Sequence, residues 1–234
     1  MYDKLVLTNN SGVHSKKAGE YGLMSVLMLQ NHIPKIITNQ KNKKFVSLFS
    51  NPIAGKTIVV VGTGSLGSSM IKLVAPLGAN IIGVNRKGGM VEGCSKVVTT
   101  EKIDIVLPEA DILYLALPET PDTKNLINRK RLNLLKPSCG VVNIGRQSAI
   151  DYEALCEKLN NKELAGAILD VFTHEPIETS SKLWNTPNLV ITPHVSSDDH
   201  GSYVKMTLDL FIKNLKLFIS NKELLNQIDK DLGY

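Results

Sequence analysis

Residues 57–67 read T-I-V-V-V-G-T-G-S-L-G, an apolar β-branched run that is followed by three glycines. The apolar run, residues 58–61, has the composition of a strand that is buried on both faces. Gly62, Gly64 and Gly67 have the G-x-G-x-x-G spacing of a dinucleotide-binding turn. In such a turn the first glycine permits the tight bend, the second lets a pyrophosphate approach the backbone, and the third lets the next helix pack closely. On its own, the pattern fits a plain packing turn equally well.

The residues after the glycine turn favour the dinucleotide site over the packing turn. A helix is predicted to begin near Ser65, so Ser65 and Leu66 would lie beside the phosphates. The unpaired N–H groups and the positive dipole end of that helix would face the same phosphates. Residues 70–77 continue with amphipathic spacing, which completes a strand, turn and helix in the order that the site requires.

Predicted strands and helices alternate along the rest of the chain. Strands are predicted at residues 80–84, 97–98, 112–117, 141–144, 165–169 and 189–192, and helices at residues 101–107, 129–135, 151–159 and 202–219. This alternation favours an α/β fold with a doubly wound parallel sheet of the Rossmann type. Before the turn, we predict a strand end at residues 5–7, a helix at residues 13–33 that Pro34 helps to end, and a connector at residues 36–49.

Composition narrows the class of protein. With 234 residues, of which 43% are hydrophobic, the chain can bury a substantial core in one large or two small domains. The net charge of +5 permits an acidic ligand, but the lysines are scattered without interleaved aromatic residues, so no nucleic-acid partner is expected. The three cysteines lack C-x-x-C spacing, which argues against a disulfide framework and a zinc site. Without a signal-peptide pattern or a membrane-spanning run, we expect a cytoplasmic protein with no membrane partner.

The residues after the second predicted strand bear on which dinucleotide would bind. An NAD site usually places Asp or Glu about 20 residues past the glycines, where the carboxylate binds the ribose 2′-hydroxyl. Asn85 takes that place here, and Arg86 and Lys87 follow it. The planar guanidinium of Arg86 suits a 2′-phosphate, so the predicted cofactor is NADP, with NAD as the alternative. A solvated loop arginine is the competing interpretation of Arg86.

Arg146, Glu175 and His194 each follow a predicted strand, at the edge of the sheet that also holds the glycine turn. Beside a nicotinamide, these groups have the chemistry for reducing a 2-oxo acid, since the cation binds the carboxylate and the imidazole protonates the developing alkoxide. Glu175 would hold the imidazole and favour its protonated form. Taken singly, each residue also fits a surface or turn position. His174 is the rival histidine, and a metal site that includes His200 is disfavoured because no ligand pair has H-x-x-x-H spacing.

Five segments, taken in order, resemble the successive motifs of the D-2-hydroxyacid dehydrogenase family. They are V-V-V-G-T-G-S-L-G, L-A-L-P-E-T-P-D-T, V-V-N-I-G-R-Q, I-L-D-V-F-T-H-E-P and I-T-P-H-V-S-S. The resemblance implies that Arg146 binds the substrate and that Glu175 partners His194, the catalytic histidine. It implies that Asp170 faces the nicotinamide carboxamide. The other cofactor-binding residues that it implies are Leu117, Pro118, Thr123, Ile144, Gly145 and Ser196.

The resemblance also implies a function. It indicates an oxidoreductase that transfers a hydride between NADP(H) and a small 2-oxo or 2-hydroxy acid, because Asn85 and Arg86 are similar to those of NADPH-using glyoxylate and hydroxypyruvate reductases. Gln147 departs from the family pattern, which has glycine after the arginine, and it would crowd or polarise the substrate side. A catalytically impaired dinucleotide-binding module, or a fragment that acts through a partner chain, is the alternative.

The domain organisation departs further from the family, since only remnants of a second, N-terminal lobe are expected. Residues 1–50 would form a residual strand, a dimer-arm helix and a connector. Residues 51–200 would form the dinucleotide-binding domain, and residues 201–234 a return helix and tail. The dimer-arm helix implies a homodimer that pairs through the cofactor domain.

Overall fold

A computed structural model describes residues 5–199 and 201–229, and within them one parallel sheet organises the fold. Its strands are β1 (Thr57–Val61), β2 (Asn80–Asn85), β3 (Lys96–Thr99), β4 (Ile112–Leu115), β5 (Gly140–Asn143), β6 (Gly166–Leu169) and β7 (Leu189–Ile191). The strand order is β3-β2-β1-β4-β5-β6-β7, so the chain winds outward from β1 in one direction and from β4 in the other. The predicted α/β fold with a doubly wound parallel sheet is confirmed.

Helices cover both faces of the sheet. They are α1 (Ser15–Gln30), α2 (Ile33–Lys41), α3 (Ser65–Val74), α4 (Ile103–Val106), α5 (Arg129–Leu132), α6 (Tyr152–Asn160) and α7 (Tyr203–Ile219). Side-chain caps begin two of them: Asn128 accepts a hydrogen bond from the Arg131 N–H at 3.1 Å, and Asp151 accepts one from the Ala154 N–H at 2.9 Å. Among the described residues, no helix is long and apolar enough to cross a membrane.

Three predictions before the glycine turn were wrong, and one of them is the connector at residues 36–49, because its residues 36–41 belong to α2. Pro34 does not end a helix, because α1 ends at Gln30 and α2 begins at Ile33 after a left-handed His32, with φ of 57°. Proline fits the first turn of α2, where its missing N–H would have no partner in the helix. Residues 5–7 do not form a strand of the sheet; the Leu7 carbonyl instead accepts a hydrogen bond from the Ile228 N–H at 2.9 Å.

The core forms two layers because alternate side chains of each strand point to opposite faces of the sheet. One layer includes Val59 and Leu113 and packs under α4, α5 and α6. The other includes Val60 and Tyr114 and packs under α1 and α3. A Cβ at Gly22 of α1 would lie 2.6 Å from the Tyr114 hydroxyl, so α1 lies directly against the sheet. Because every strand is parallel, all carboxyl ends meet at one edge of the sheet, which therefore gathers the loops that follow them.

Candidate active site

In the glycine turn after β1, two glycines are required by close packing and the third has an open backbone. Gly62 has φ of +94°, and a Cβ there would lie 2.5 Å from the Ala116 carbonyl oxygen. A Cβ at Gly67 would lie 2.0 Å from the Gly62 carbonyl oxygen, so both glycines are required by close packing. A Cβ at Gly64, the N-cap of α3, would meet nothing within 4 Å. The exposed backbone of Gly64, together with the N-terminus of the ten-residue helix α3 that starts with Ser65, therefore fits an approaching pyrophosphate.

The turn after β2 is shaped by the residue that replaces the usual acid. The Asn85 Oδ1 accepts a hydrogen bond from the Gly88 N–H at 2.7 Å, and its Nδ2 donates to the Thr63 hydroxyl oxygen at 3.0 Å. Asn85 thus joins this turn to the glycine turn. Arg86 and Lys87 lie exposed in this turn.

The loops after β4 and β5 lie against each other next to the glycine turn. A Cβ at Gly145 would lie 2.6 Å from both the nitrogen and the oxygen of Leu117. Ile144 is buried beneath this contact, and Pro118 is exposed at its rim. The Thr123 hydroxyl donates to the Pro118 carbonyl oxygen at 2.7 Å, so Thr123 closes the loop that follows β4.

A buried amide that we did not predict shapes the turn that carries Arg146. Asn143, at the end of β5, accepts the Gly145 N–H at 3.0 Å and donates to the Arg146 carbonyl oxygen at 3.1 Å. It also donates to the Tyr152 hydroxyl at 3.1 Å, and that hydroxyl donates to the Val171 carbonyl oxygen at 2.8 Å. The signal in the sequence was a polar residue at the end of an otherwise apolar buried strand, V-V-N.

The predicted acid and histidine are in contact. The Nδ1 of His194 lies 2.7 Å from the Oε2 of Glu175, and the Oε1 of Glu175 accepts the Phe172 N–H at 2.7 Å. Partial burial would raise the pKa of Glu175, but the hydrogen bonds from His194 and Phe172, with the charges of His194 and Arg146, outweigh it and hold that pKa below its usual range. Glu175 is therefore ionised at neutral pH, and Nδ1 is the histidine nitrogen that donates to it.

Arg146 is exposed at the neighbouring strand end, near enough for its charge to act on Glu175. Its Nη1 donates to the Gly145 carbonyl oxygen at 2.8 Å, which folds the guanidinium over its own turn. The Gln147 Oε1 accepts a hydrogen bond from the Thr173 hydroxyl at 2.7 Å, so it ties the arginine loop to the loop that carries Glu175. Gln147 lines a groove of about 860 Å³ beside α6, and neither Arg146 nor His194 lines that groove.

Asp170 is fully buried at the end of β6, and the protein already satisfies both of its oxygens. Its Oδ1 accepts hydrogen bonds from the Thr192 hydroxyl and from the Val195 N–H, the latter at 3.0 Å. Its Oδ2 accepts the N–H of Ser196, which is also buried, at 2.9 Å. Asp170 therefore holds the chain on both sides of His194, and a role toward a nicotinamide stays a prediction.

Within residues 5–199 and 201–229, no group of three or more His, Cys, Asp or Glu side chains could hold a metal ion. His200, which the alternative metal set included, lies outside the described residues.

Comparison with known proteins fits this geometry. Residues 23–196 match the family described as D-isomer specific 2-hydroxyacid dehydrogenase, NAD binding domain. The chain belongs to this family. The matched region runs from within α1 to Ser196, and it includes every strand of the sheet and each of the three predicted catalytic residues.

Relatives and solved structures extend the comparison. The chain is 34% identical to a glyoxylate reductase of Thermococcus onnurineus over 74% of its own length and 54% of that protein. A D-isomer specific 2-hydroxyacid dehydrogenase of Xanthobacter autotrophicus, solved with NADPH and MES, has a TM-score of 0.90 at 27% identity and covers 99% of this chain and 95% of that one. An NADPH-dependent glyoxylate/hydroxypyruvate reductase of Sinorhizobium meliloti, solved with NADP and sulfate, has a TM-score of 0.87 at 26% identity, over 99% and 74% of the two chains. The chain spans about half the length of the curated relatives it matches.

Proposed function

We propose that this dehydrogenase domain reduces a small 2-oxo acid with NADPH, and oxidises the 2-hydroxy acid in reverse. The observation that carries the proposal is the His194–Glu175 contact of 2.7 Å at the sheet edge that also holds the open Gly64 backbone. A histidine fixed by an ionised carboxylate, beside a place for a dinucleotide, is the arrangement that coupled proton and hydride transfer requires.

The proposed roles follow from the side-chain geometry. The reduced nicotinamide, when bound, supplies the hydride for the carbonyl carbon of the substrate. Since the His194 Nδ1–H donates to Glu175, Nε2 is the nitrogen left to give a proton to the carbonyl oxygen. Glu175 orients the imidazole by accepting the hydrogen bond from its Nδ1. The guanidinium of Arg146 binds the substrate carboxylate.

The proposed cofactor site extends from the glycine turn to the turn after β2. Gly62, Gly64 and Gly67, with Ser65 and Leu66, would take the pyrophosphate, and Arg86 and Lys87 the 2′-phosphate of NADP. Two similar structures were solved with NADPH or NADP, which supports this preference. Arg86→Ala tests it: we expect NADPH to bind about tenfold more weakly and NADH to bind unchanged. Equal dissociation constants for the two cofactors in the wild-type protein would remove the proposal.

A glyoxylate- or hydroxypyruvate-like substrate is proposed from the names of the relatives. The competing proposal is a dinucleotide-binding module that acts through a partner chain. Helix α7 favours it, since Leu208, Phe211, Phe218 and Ile219 are exposed along that helix. We also propose that the chain divides into an N-terminal segment (residues 1–50), the dinucleotide-binding domain (residues 51–200) and a C-terminal segment (residues 201–234) that contains α7.

We further propose a cytoplasmic homodimer. All three cysteines, Cys94, Cys139 and Cys156, are free thiols, as in proteins of reducing compartments. After α2, Phe45 and Phe49 are almost fully exposed on the irregular segment that leads into the cofactor domain, and such exposed aromatic residues suit a pairing surface beside that domain. Light scattering on wild-type protein and on the double variant Phe45→Ser, Phe49→Ser tests this: the wild type should have twice the monomer mass and the variant the monomer mass.

The decisive experiment for catalysis follows NADPH oxidation with glyoxylate, hydroxypyruvate and pyruvate in turn. We expect turnover with at least one of them, and His194→Gln should lower kcat by about 10²–10⁴-fold because the proton donor is lost. His174→Gln is the matched control, since His174 is an exposed histidine on the same loop as Glu175. NADPH binding without turnover on any of these acids would favour the binding module instead.

A further inference from the structure

A series of hydrogen-bonded side chains, half-buried at Thr192, connects α1 to the turn that carries His194. The Tyr21 hydroxyl lies 2.7 Å from the Thr192 hydroxyl, which in turn donates to the Asp170 Oδ1. The single hydroxyl proton of Thr192 is engaged by the carboxylate, so Tyr21 is the donor in the first contact. The two hydrogen bonds therefore run in one direction: Tyr21 donates to Thr192, and Thr192 donates to the Asp170 carboxylate.

The turn that is hydrogen-bonded to Asp170 contains a residue with a strained backbone. His194 has φ of 54°, a left-handed conformation that is uncommon for residues other than glycine. Such a conformation persists only where the surrounding structure imposes it. Here Asp170 accepts hydrogen bonds from Thr192 on one side of His194 and from Val195 and Ser196 on the other.

We propose that Tyr21 and Thr192 are positioning residues, which act through Asp170 to hold the His194 turn in the conformation that meets Glu175. This inference rests on the proposed function, because it concerns how the proton donor is held. Neither hydroxyl has a role of its own in the chemistry. The burial of Asp170 makes each of its hydrogen bonds important. A buried carboxylate that loses the Thr192 donor shifts toward another donor, and it then no longer holds the N–H groups of Val195 and Ser196.

The burial of Tyr21 fits a permanent donor. Burial is the main cause that raises the pKa of Tyr21, and the charge of Asp170 raises it further, against the lowering effect of the Thr192 and Ser25 hydrogen bonds. Tyr21 therefore stays protonated at neutral pH. The competing interpretation is that these hydroxyls merely anchor α1 to the sheet.

Amide hydrogen exchange in the cofactor-free protein tests the proposal without any turnover. In Thr192→Val and in Tyr21→Phe we expect the Val195 and Ser196 amides to exchange about tenfold faster or more, while the amides of Val60 and Leu113 keep their rates. Thr192→Ser, which restores the hydroxyl, should restore protection. Matched controls are Thr99→Val and Tyr114→Phe, because each removes a buried hydroxyl that has no hydrogen-bond partner.

Kinetics provide the second readout. Thr192→Val should lower kcat for the oxo acid by about 10–100-fold because the proton donor is displaced, and Thr192→Ser, which keeps the hydroxyl, should restore kcat to within about twofold of the wild type. Unchanged exchange at Val195 and Ser196, or equal acceleration throughout the sheet, would overturn the proposal. Absence of wild-type turnover would overturn the proposed function alone, and the exchange rates would still decide the role of Tyr21 and Thr192.

Discussion

Alanine substitutions at Gly64 and Gly67 separate phosphate binding from packing in the glycine turn. At Gly67 the added Cβ would lie 2.0 Å from the Gly62 carbonyl oxygen, a backbone atom that cannot move aside cheaply. At Gly64 the added Cβ would meet no atom within 4 Å, and the backbone there, with φ of −69° and ψ of −162°, is accessible to alanine. One substitution therefore perturbs the fold and the other only the space above it.

The expected magnitudes differ accordingly. Overpacking typically costs about 1–3 kcal/mol, and a clash with backbone belongs at the upper end, whereas the gain in helix propensity is at most about 1 kcal/mol. Gly67→Ala should thus lose about 2 kcal/mol, which lowers Tm by about 4–8 °C in a protein of this size. Gly64→Ala should change stability by no more than about 0.5 kcal/mol. It should weaken NADPH binding at least about tenfold, or 1.4 kcal/mol, because the methyl group occupies the approach of the pyrophosphate.

Thermal unfolding and NADPH titration by fluorescence measure both quantities on the same samples. Gly89→Ala is the control, because a Cβ at Gly89 also meets no atom within 4 Å, and it tests whether any added methyl group at this edge weakens NADPH binding. Gly55→Ala is unsuitable as a control because Gly55 has φ of +78°. If Gly64→Ala binds NADPH like the wild type, no pyrophosphate approaches that backbone, and the turn is a packing turn. A Gly67→Ala variant as stable as the wild type would refute the packing argument.

Three further outcomes follow from buried and charged groups. Tyr114→Phe should raise stability by about 1 kcal/mol, measured by urea unfolding, because it removes a buried hydroxyl without a partner. Partial burial would raise the pKa of Asp111, but hydrogen bonds from the Thr57 N–H and Lys136 outweigh it and lower that pKa. The ionised Asp111 therefore stabilises the folded protein at pH values above the ordinary aspartate pKa, and this stabilisation is lost as the pH falls through the lowered pKa. Unfolding of Asp111→Asn should accordingly depend less on pH below about pH 4 than unfolding of the wild type. Burial raises the pKa of Cys139 to about 12, so iodoacetamide should label this thiol only in unfolded protein; labelling of the native protein at this residue would contradict the buried assignment.

Much of the candidate site followed from the sequence because a parallel sheet gathers the ends of its strands. Once each strand was predicted, Gly62, Arg146 and His194 had to lie at one edge, whatever the packing of the helices. The spacing of the glycines and the runs of buried β-branched residues are local signals, and local signals survive without tertiary information.

Local sequence signals failed where the same signal is compatible with two different local conformations. Pro34 is equally compatible with the end of one helix and the first turn of the next, and only the left-handed His32 decides in favour of α2. The apolar residues 5–7 resemble a strand, yet they find their hydrogen bonds with the chain near Ile228. Such pairings depend on where distant segments meet.

The sequence by itself determined the architecture, the edge of the sheet that holds the site and the residue types that gather there. Only the tertiary structure decided how those residues are held: Asn143 under the arginine turn, and Tyr21 and Thr192 behind Asp170. The physical reason is that a hydrogen bond needs its donor and acceptor within about 3 Å. For residues as far apart in the chain as Tyr21 and Thr192, that distance is set by the packing of α1 on the sheet and not by any pattern along the sequence.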